Sequence, residues 1–96
     1  MLIHMFAFRW APQATAEDRD RAIAEIRRFE GEIPGLIEVQ VGENLAKRTG
    51  GYETGGFMRF SDASALEAYG GHPLHVALLA WLIPLVDPVE VDIETV

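Results

Sequence analysis

Two histidines and a tyrosine lie within seven residues in the second half of the chain, in the segment Tyr69-Gly-Gly-His72-Pro73-Leu74-His75. An imidazole accepts and donates protons near neutral pH, and a phenol donates a hydrogen bond to an oxygen that gains negative charge. The glycine pair loosens the backbone between these side chains and the proline fixes it. These residue types therefore predict general acid and base chemistry.

The same residues have structural and metal-binding alternatives. A histidine before a proline at a helix start often caps the helix, and a lone histidine in a strand is more often a hydrogen-bonded core residue than a catalyst. His72 and His75 are spaced so that they could share a metal ion, with His4 as the third histidine of the chain. Because the chain contains no cysteine and no His-Glu-x-x-His pattern, we expect no metal site and no cofactor.

Charge and length exclude several classes of partner. The 96 residues carry eight basic and fifteen acidic side chains, a net charge of −7, which opposes binding to nucleic acid or to an anionic membrane surface. A single domain over residues 1–96 has a small core, and without cysteine it has no disulfide to stabilise it. We therefore expect a second subunit to provide additional burial.

The amino-terminal and apolar segments predict neither export nor membrane insertion. The first ten residues include His4 and Arg9 and lack a small-residue cleavage site, which is unlike a signal peptide. The longest apolar run, Val76 to Val86, is broken by Pro84 and is shorter than the roughly 20 residues of a membrane span. The expected location is the cytoplasm, without contact to a membrane.

Residues 2–10 predict a strand that is apolar on both faces. One face carries Leu2, His4, Phe6, Phe8 and Trp10, and the other carries Ile3, Met5, Ala7 and Arg9. Such a strand requires helices on one side and a second apolar surface on the other.

Periodicity and capping signals, among them Thr15 with Asp18, define the remaining elements. They are a helix over 16–31, strands over 36–41 and 52–60, helical pieces over 62–69 and 73–82, and a strand over 89–96. A polar loop spans 42–51, and Gly55-Gly56 predicts a bulge or a close backbone approach. This order is the ferredoxin-like βαββαβ arrangement, an α+β fold in which one antiparallel sheet carries two helices on one face. The bare face, apolar in the first two strands, predicts a homodimer of sheets packed face to face.

Several short motifs are spread over nearly the whole chain. They are His4 followed by Met5-Phe6-Ala7-Phe8, Ile33-Pro34-Gly35-Leu36, Val41-Gly42-Glu43-Asn44, Gly51-Tyr52, Phe60-Ser61-Asp62 and Tyr69-x-x-His72-Pro73-x-His75-Val76. In this combination the sequence resembles the stress-responsive α/β-barrel, or Dabb, family. The resemblance implies a ferredoxin-like fold that dimerises into an α+β barrel, and it does not by itself imply catalysis.

The resemblance also implies roles for individual residues. The polyketide cyclases of that family act without a cofactor, so their own side chains carry out the reaction. Their base matches His75, and the tyrosine paired with it matches Tyr69. Two histidines of their pocket match His4 and His72. The expected pocket lining is Ile23, Ile26 and Trp81, the core residue Phe6, and Thr54, which stands where those cyclases have another histidine.

Three functions compete on this basis. The first is a cofactor-independent aldol cyclase, lyase or isomerase, in which His75 and Tyr69 act on a hydrophobic carbonyl compound. The second is a non-catalytic stress-responsive or ligand-binding protein, and the third is a cofactor-free monooxygenase-like barrel acting on a phenolic ligand. An enzyme requires an open pocket of roughly 300 Å³ or more, with His75 exposed to it, whereas a collapsed pocket favours the non-catalytic protein.

Overall fold

Strand β1 lies inside a four-stranded antiparallel sheet of order β2-β3-β1-β4. The computed structural model describes residues 1–95, so Val96, the last residue of the predicted strand 89–96, lies outside it. The elements are β1 (Leu2–Trp10), α1 (Ala16–Arg27), β2 (Leu36–Glu43), β3 (Tyr52–Phe60), α2 (Ala63–Gly70), α3 (Pro73–Leu82), a short 3-10 helix (Ile83–Leu85) and β4 (Val86–Glu94). The predicted ferredoxin-like βαββαβ fold is confirmed, with the second helix divided into α2 and α3.

Helix α1 begins at the predicted cap and ends earlier than predicted. The Thr15 hydroxyl accepts the Asp18 N–H at 3.1 Å, and the Asp18 carboxylate accepts the Thr15 N–H at 2.8 Å. After Arg27 the chain continues in turns, in which Phe29 and Ile33 are still buried. Their helical spacing therefore reflects burial rather than continued helix. Among the described residues no helix is long and apolar enough to cross a membrane.

Strand β4 is longer than predicted at its amino end. It begins at Val86 and includes Pro88, although a proline usually ends a strand. Pro88 is tolerated because β4 lies at the edge of the sheet, where it pairs with β1 alone and one side of its backbone needs no strand partner. The pairing aligns Phe8 with Pro88 and continues without a shift along the strand.

The sheet has one covered face and one open face. The β1 residues on the covered face are all buried beneath the helices, and they are the predicted set Leu2, His4, Phe6, Phe8 and Trp10. The register with β4 places Glu90 opposite Phe6 and Asp92 opposite His4, on this covered face. The open face carries apolar side chains of β1, β3 and β4, namely Ile3, Met5, Ala7, Phe57, Val89, Val91 and Ile93.

The prediction that β2 contributes apolar residues to the open face is wrong for Val39 and Val41. Val39 pairs with Met58 and is buried on the covered face, whereas Glu38 pairs with Arg59 on the open face. The Arg59 guanidinium donates to the Glu38 carboxylate at 2.8 Å. The alternation of Glu38 and Gln40 with Val39 and Val41 is observed, but an irregularity between Leu36 and Glu38 places Leu36 on the same face as Val39. The apolar part of the open face instead includes β4.

The glycine pair in β3 permits the close approach that the sequence predicted. A Cβ on Gly56 would overlap the Gln40 carbonyl oxygen and lie 2.9 Å from the tip of the Phe6 ring. A Cβ on Gly55 would lie 3.2 Å from the Phe6 carbonyl oxygen. Gly56 thus allows the Phe6 ring to lie against the sheet.

We expect Gly56→Ala to lower the free energy of unfolding by roughly 1–3 kcal/mol, because the added methyl group would force strand β2 and the Phe6 ring to move. Gly55→Ala is the matched control and should change stability by less than about 1 kcal/mol. Urea unfolding of both variants measures the difference. Equal effects of the two substitutions would contradict the packing role of Gly56.

Candidate active site

A cavity of about 60 Å³ lies between the sheet and helix α3. Its titratable lining residues are His4 from β1, Tyr69 from α2, His75 from α3 and Glu90 from β4. Apolar residues that include Phe6 and Ile26, two of the predicted lining residues, form most of the remaining wall. Its exposed lining residues are Ile83, directly after α3, and Pro88 and Glu90 of β4. The structure therefore brings the predicted His75, Tyr69 and His4 together around one apolar space.

The break between α2 and α3 positions His75 against Tyr69. Their ring centroids are 4.2 Å apart. The His75 Nδ1 lies 3.0 Å from the Gly70 carbonyl oxygen, which only accepts hydrogen bonds, so Nδ1 carries the hydrogen. In the neutral ring this leaves Nε2 as the basic nitrogen. The backbone of the glycine pair thus selects the His75 tautomer that a general base requires.

Tyr69 is a buried phenol in an aromatic environment. Its ring packs against Phe60 at a centroid distance of 5.4 Å and against Phe29 at 6.0 Å. Burial raises the pKa of Tyr69 far above its usual value, and the negative charge of Glu90 raises it further. Tyr69 therefore stays protonated at neutral pH and can act only as a hydrogen-bond donor or an acid, not as a phenolate base.

Asp92 is a site residue that the sequence analysis missed. The His4 ring is buried, with 7% of its surface exposed, and its Nδ1 lies 2.5 Å from the Asp92 carboxylate. This contact holds the ring and directs the His4 Nδ1–H to a fixed acceptor, as carboxylates commonly do for functional histidines. The predicted fold could have indicated this contact, since a ferredoxin-like sheet pairs the first strand with the last.

Glu90 was also missed, and the same pairing explains its position. It lies two residues before Asp92 on the covered face of β4, opposite Phe6. Its side chain is exposed and lines the cavity. The alternation of apolar and acidic residues in β4 was visible in the sequence. The register with β1 was needed to place its acidic residues on the covered face, beside the cavity.

His72 has a structural role in this arrangement. It is the N-cap of α3, and its Nδ1 accepts the Leu74 N–H at 3.1 Å. It lies outside the cavity lining, in contrast to the pocket role that the resemblance implies. These contacts agree with the alternative interpretation of His72 as a helix-capping residue.

Three predicted lining residues, Ile23, Thr54 and Trp81, also lie outside the cavity. Thr54 is buried and accepts a hydrogen bond from the Trp10 indole at 2.9 Å. Trp81 donates to Glu25 at 3.3 Å, so it joins α3 to α1 on the outer side of the helices. Ile23 packs against the core from α1.

The volume of the cavity is well below the roughly 300 Å³ expected of an enzyme pocket for a ligand of ordinary size. About 60 Å³ accommodates a few water molecules or a small organic group. Between residues 1 and 95, no three histidine, aspartate or glutamate side chains are grouped so that they could hold a metal ion.

Comparison with known proteins identifies the family. The sequence pattern of the stress-responsive A/B barrel domain, called Dabb, matches residues 2–95. The chain belongs to this family. The Dabb match covers β1 to β4, so it includes all four titratable residues of the cavity. No curated protein sequence matches the chain.

Solved structures with the same fold include dimeric ferredoxin-like proteins of unknown function from Thermobifida fusca and Jannaschia, each 26% identical to this chain. The first has a TM-score of 0.86 over 98% of this chain and 90% of its own, and the second 0.84 over 98% of both chains. A hydroxynitrile lyase from Passiflora edulis has a TM-score of 0.81 at 16% identity, over 99% of this chain and 94% of its own. At that identity the likeness concerns the fold alone.

The raised pKa of Tyr69 predicts a loss of stability at high pH. Above pH 10.0, the pKa of an unfolded tyrosine, the unfolded chain loses the Tyr69 proton while the folded protein keeps it. The free energy of unfolding should therefore fall by up to about 1.4 kcal/mol per pH unit, whereas below that pH the contribution is fully present. The Tyr69→Phe variant should lack this decrease in the free energy of unfolding, and the Tyr52→Phe variant should still show it. Urea unfolding at about pH 9 and pH 11 tests this, and equal falls in wild type and Tyr69→Phe would contradict it.

Proposed function

We propose that this Dabb protein is a small, cofactor-independent acid/base enzyme acting on a hydrophobic carbonyl compound. The observation that carries the proposal is the pairing of His75, whose Nδ1 is occupied by a backbone carbonyl, with a buried and protonated Tyr69 at a ring distance of 4.2 Å. A base with a free nitrogen beside a neutral donor is the arrangement that proton abstraction next to a carbonyl requires.

In the proposed reaction, His75 Nε2 removes a proton from the carbon alpha to the carbonyl. The electron pair of that C–H bond forms the enolate, and the Tyr69 hydroxyl donates a hydrogen bond to its oxygen. Because the surrounding wall is apolar, this hydrogen bond is stronger there than in water. His4, whose ring centroid is 6.3 Å from that of Tyr69, is oriented by Asp92 on the other side of the phenol.

The enolate can then follow three routes. It can attack a second carbonyl, as in an aldol cyclase, expel a leaving group, as in a lyase, or accept a proton elsewhere, as in an isomerase. A cavity of about 60 Å³ favours a small substrate, and therefore the lyase and isomerase routes over closure of a long polyketide. That one structural neighbour is a hydroxynitrile lyase supports the idea that this fold can hold a lyase site.

A non-catalytic ligand-binding protein is the second candidate, and the small volume of the cavity favours it. In that case the Tyr69 and His75 rings fill space or bind a small carbonyl or phenolic ligand without turnover. The monooxygenase-like alternative receives less support, because a polycyclic phenol requires considerably more room than about 60 Å³.

We further propose that the chain forms a homodimer through its open face. Val89, Val91 and Ile93 are each more than 40% exposed there, although they are large apolar side chains. The Arg9–Asp87 and Arg59–Glu38 ion pairs lie on the same face around the apolar area. Similar chains that are dimeric, including two at 26% identity, support this assembly. An apolar centre with a charged periphery is the usual composition of a subunit interface.

Exchange of the alpha protons of cyclopentanone in heavy water tests the acid/base proposal, because it requires only enolate formation. We expect the wild type to accelerate exchange, and His75→Ala to lower the protein-dependent rate by roughly 100-fold or more. Tyr69→Phe should lower it by roughly 10- to 100-fold. Proton nuclear magnetic resonance measures the rates.

His72→Ala is the matched control for this experiment, since His72 caps α3 outside the cavity. It should lose about 1 kcal/mol of stability and keep the exchange rate. A wild-type rate in His75→Ala, with an unchanged melting temperature, would overturn the assignment of the base. Binding of cyclopentanone without any acceleration of exchange would favour the non-catalytic candidate.

The dimer proposal predicts that Val91→Glu produces monomers, because it places a charge at the centre of the apolar open face. Val76→Glu is the control, since Val76 is exposed to a similar extent, 52% against 48%, but lies on α3 at the opposite side of the sheet. Sedimentation velocity measures the assembly state. Monomers in both variants, or dimers in both, would contradict the proposed interface.

A further inference from the structure

The acidic and basic residues of this chain are unevenly distributed along the sequence. All eight basic side chains precede Phe60, whereas six of the fifteen acidic ones follow it. The later acidic residues are Asp62, Glu67, Asp87, Glu90, Asp92 and Glu94. Almost the entire net charge of −7 therefore belongs to the part of the chain that forms α2, α3 and β4.

That part of the chain forms most of the cavity wall. The register of β4 with β1 places Glu90, Asp92 and Glu94 in one row on the covered face, beside the cavity. The Asp92 carboxylate is hydrogen-bonded to His4. The Glu90 side chain lines the cavity and is exposed to solvent. The charged group nearest to an incoming ligand is thus a carboxylate.

Basic side chains do not compensate this charge at the cavity. No lysine or arginine is present among its described lining residues. Arg21 pairs with Glu25 on α1 and lies over the Trp81 ring, at the outer side of the helices. Arg9 and Arg59 form their ion pairs on the open face of the sheet. The helix α3 opposite β4 contains no charged residue apart from the titratable His75.

We propose that Glu90 is a specificity-determining residue, which favours uncharged or cationic small molecules in the cavity and disfavours small anions such as carboxylates. A carboxylate beside a low-dielectric wall repels an anion more strongly than the same charge in open solvent. Glu90 lines the cavity together with Tyr69, and its negative charge adds to the effect of burial in raising the pKa of that phenol.

This inference rests on the proposed use of the cavity as the ligand site and narrows its substrate class. A carbonyl compound that enters would carry no acidic group of its own. The enolate formed from it is the one negative charge in the reaction, and Tyr69 donates directly to its oxygen. Because the charge of Glu90 acts at the Tyr69 hydroxyl, it also disfavours the enolate held there, and the hydrogen bond from Tyr69 has to offset that repulsion.

Three small probes of similar size test the inference: acetone, isopropylammonium and acetate. Titration of the wild-type protein, followed by the Tyr69 and His75 ring resonances, should show acetate binding at least tenfold more weakly than the other two at low salt. Glu90→Gln should reduce this discrimination about five- to tenfold, and Glu90→Lys should reverse the preference between acetate and isopropylammonium. Added salt should weaken the discrimination in the wild type.

Glu94→Gln is the matched control, since it removes the same charge from the same row without altering the cavity lining. It should change the discrimination less than twofold. Equal affinity for acetate and acetone in the wild type, or equal effects of the Glu90 and Glu94 substitutions, would overturn the role of Glu90 and leave the acid/base proposal intact. If none of the three probes shifted the Tyr69 and His75 resonances, both proposals would fail together.

Discussion

The pairing of β1 with β4 determines both the cavity and the open face. In its register His4 lies opposite Asp92 and Phe6 opposite Glu90 on the covered face, while Met5 lies opposite Val91 on the open face. A slip of one residue would exchange the faces, placing acidic side chains on the apolar open face and valines at the cavity. The proposed interface and the chemistry of the proposed site are therefore two sides of one strand pair.

Position in the fold gives the cavity residues their distinct properties. Tyr69 is a common phenol that burial and Glu90 hold in its protonated form. His75 is a common imidazole whose tautomer is fixed by one backbone carbonyl at the break between α2 and α3. Neither property requires a cofactor or an unusual residue type, since both arise from position. The cavity thus places a neutral donor and a base with a defined tautomer beside each other in an apolar space.

Much of the fold was predictable because its signals are local. The capping residues Thr15 and Asp18, and the alternation along β1, each depend on a few neighbouring residues and were interpreted correctly. The errors arose where distant contacts overrode local ones. Pro88 fits within β4 because that strand is an edge, and Leu36 shares the face of Val39 because of an irregularity after Leu36. Neither context is visible in a short sequence window.

The sequence by itself determined the family, the order of elements and the cluster of Tyr69 with His75, because these follow from short motifs and periodic burial. Only the tertiary structure decided which residues surround the cavity. It added Asp92 and Glu90 and assigned His72 to a helix cap. The physical reason is that a cavity is formed by side chains from separate strands and helices. Its composition is therefore set by strand register and helix position, to which residues far apart in the chain contribute.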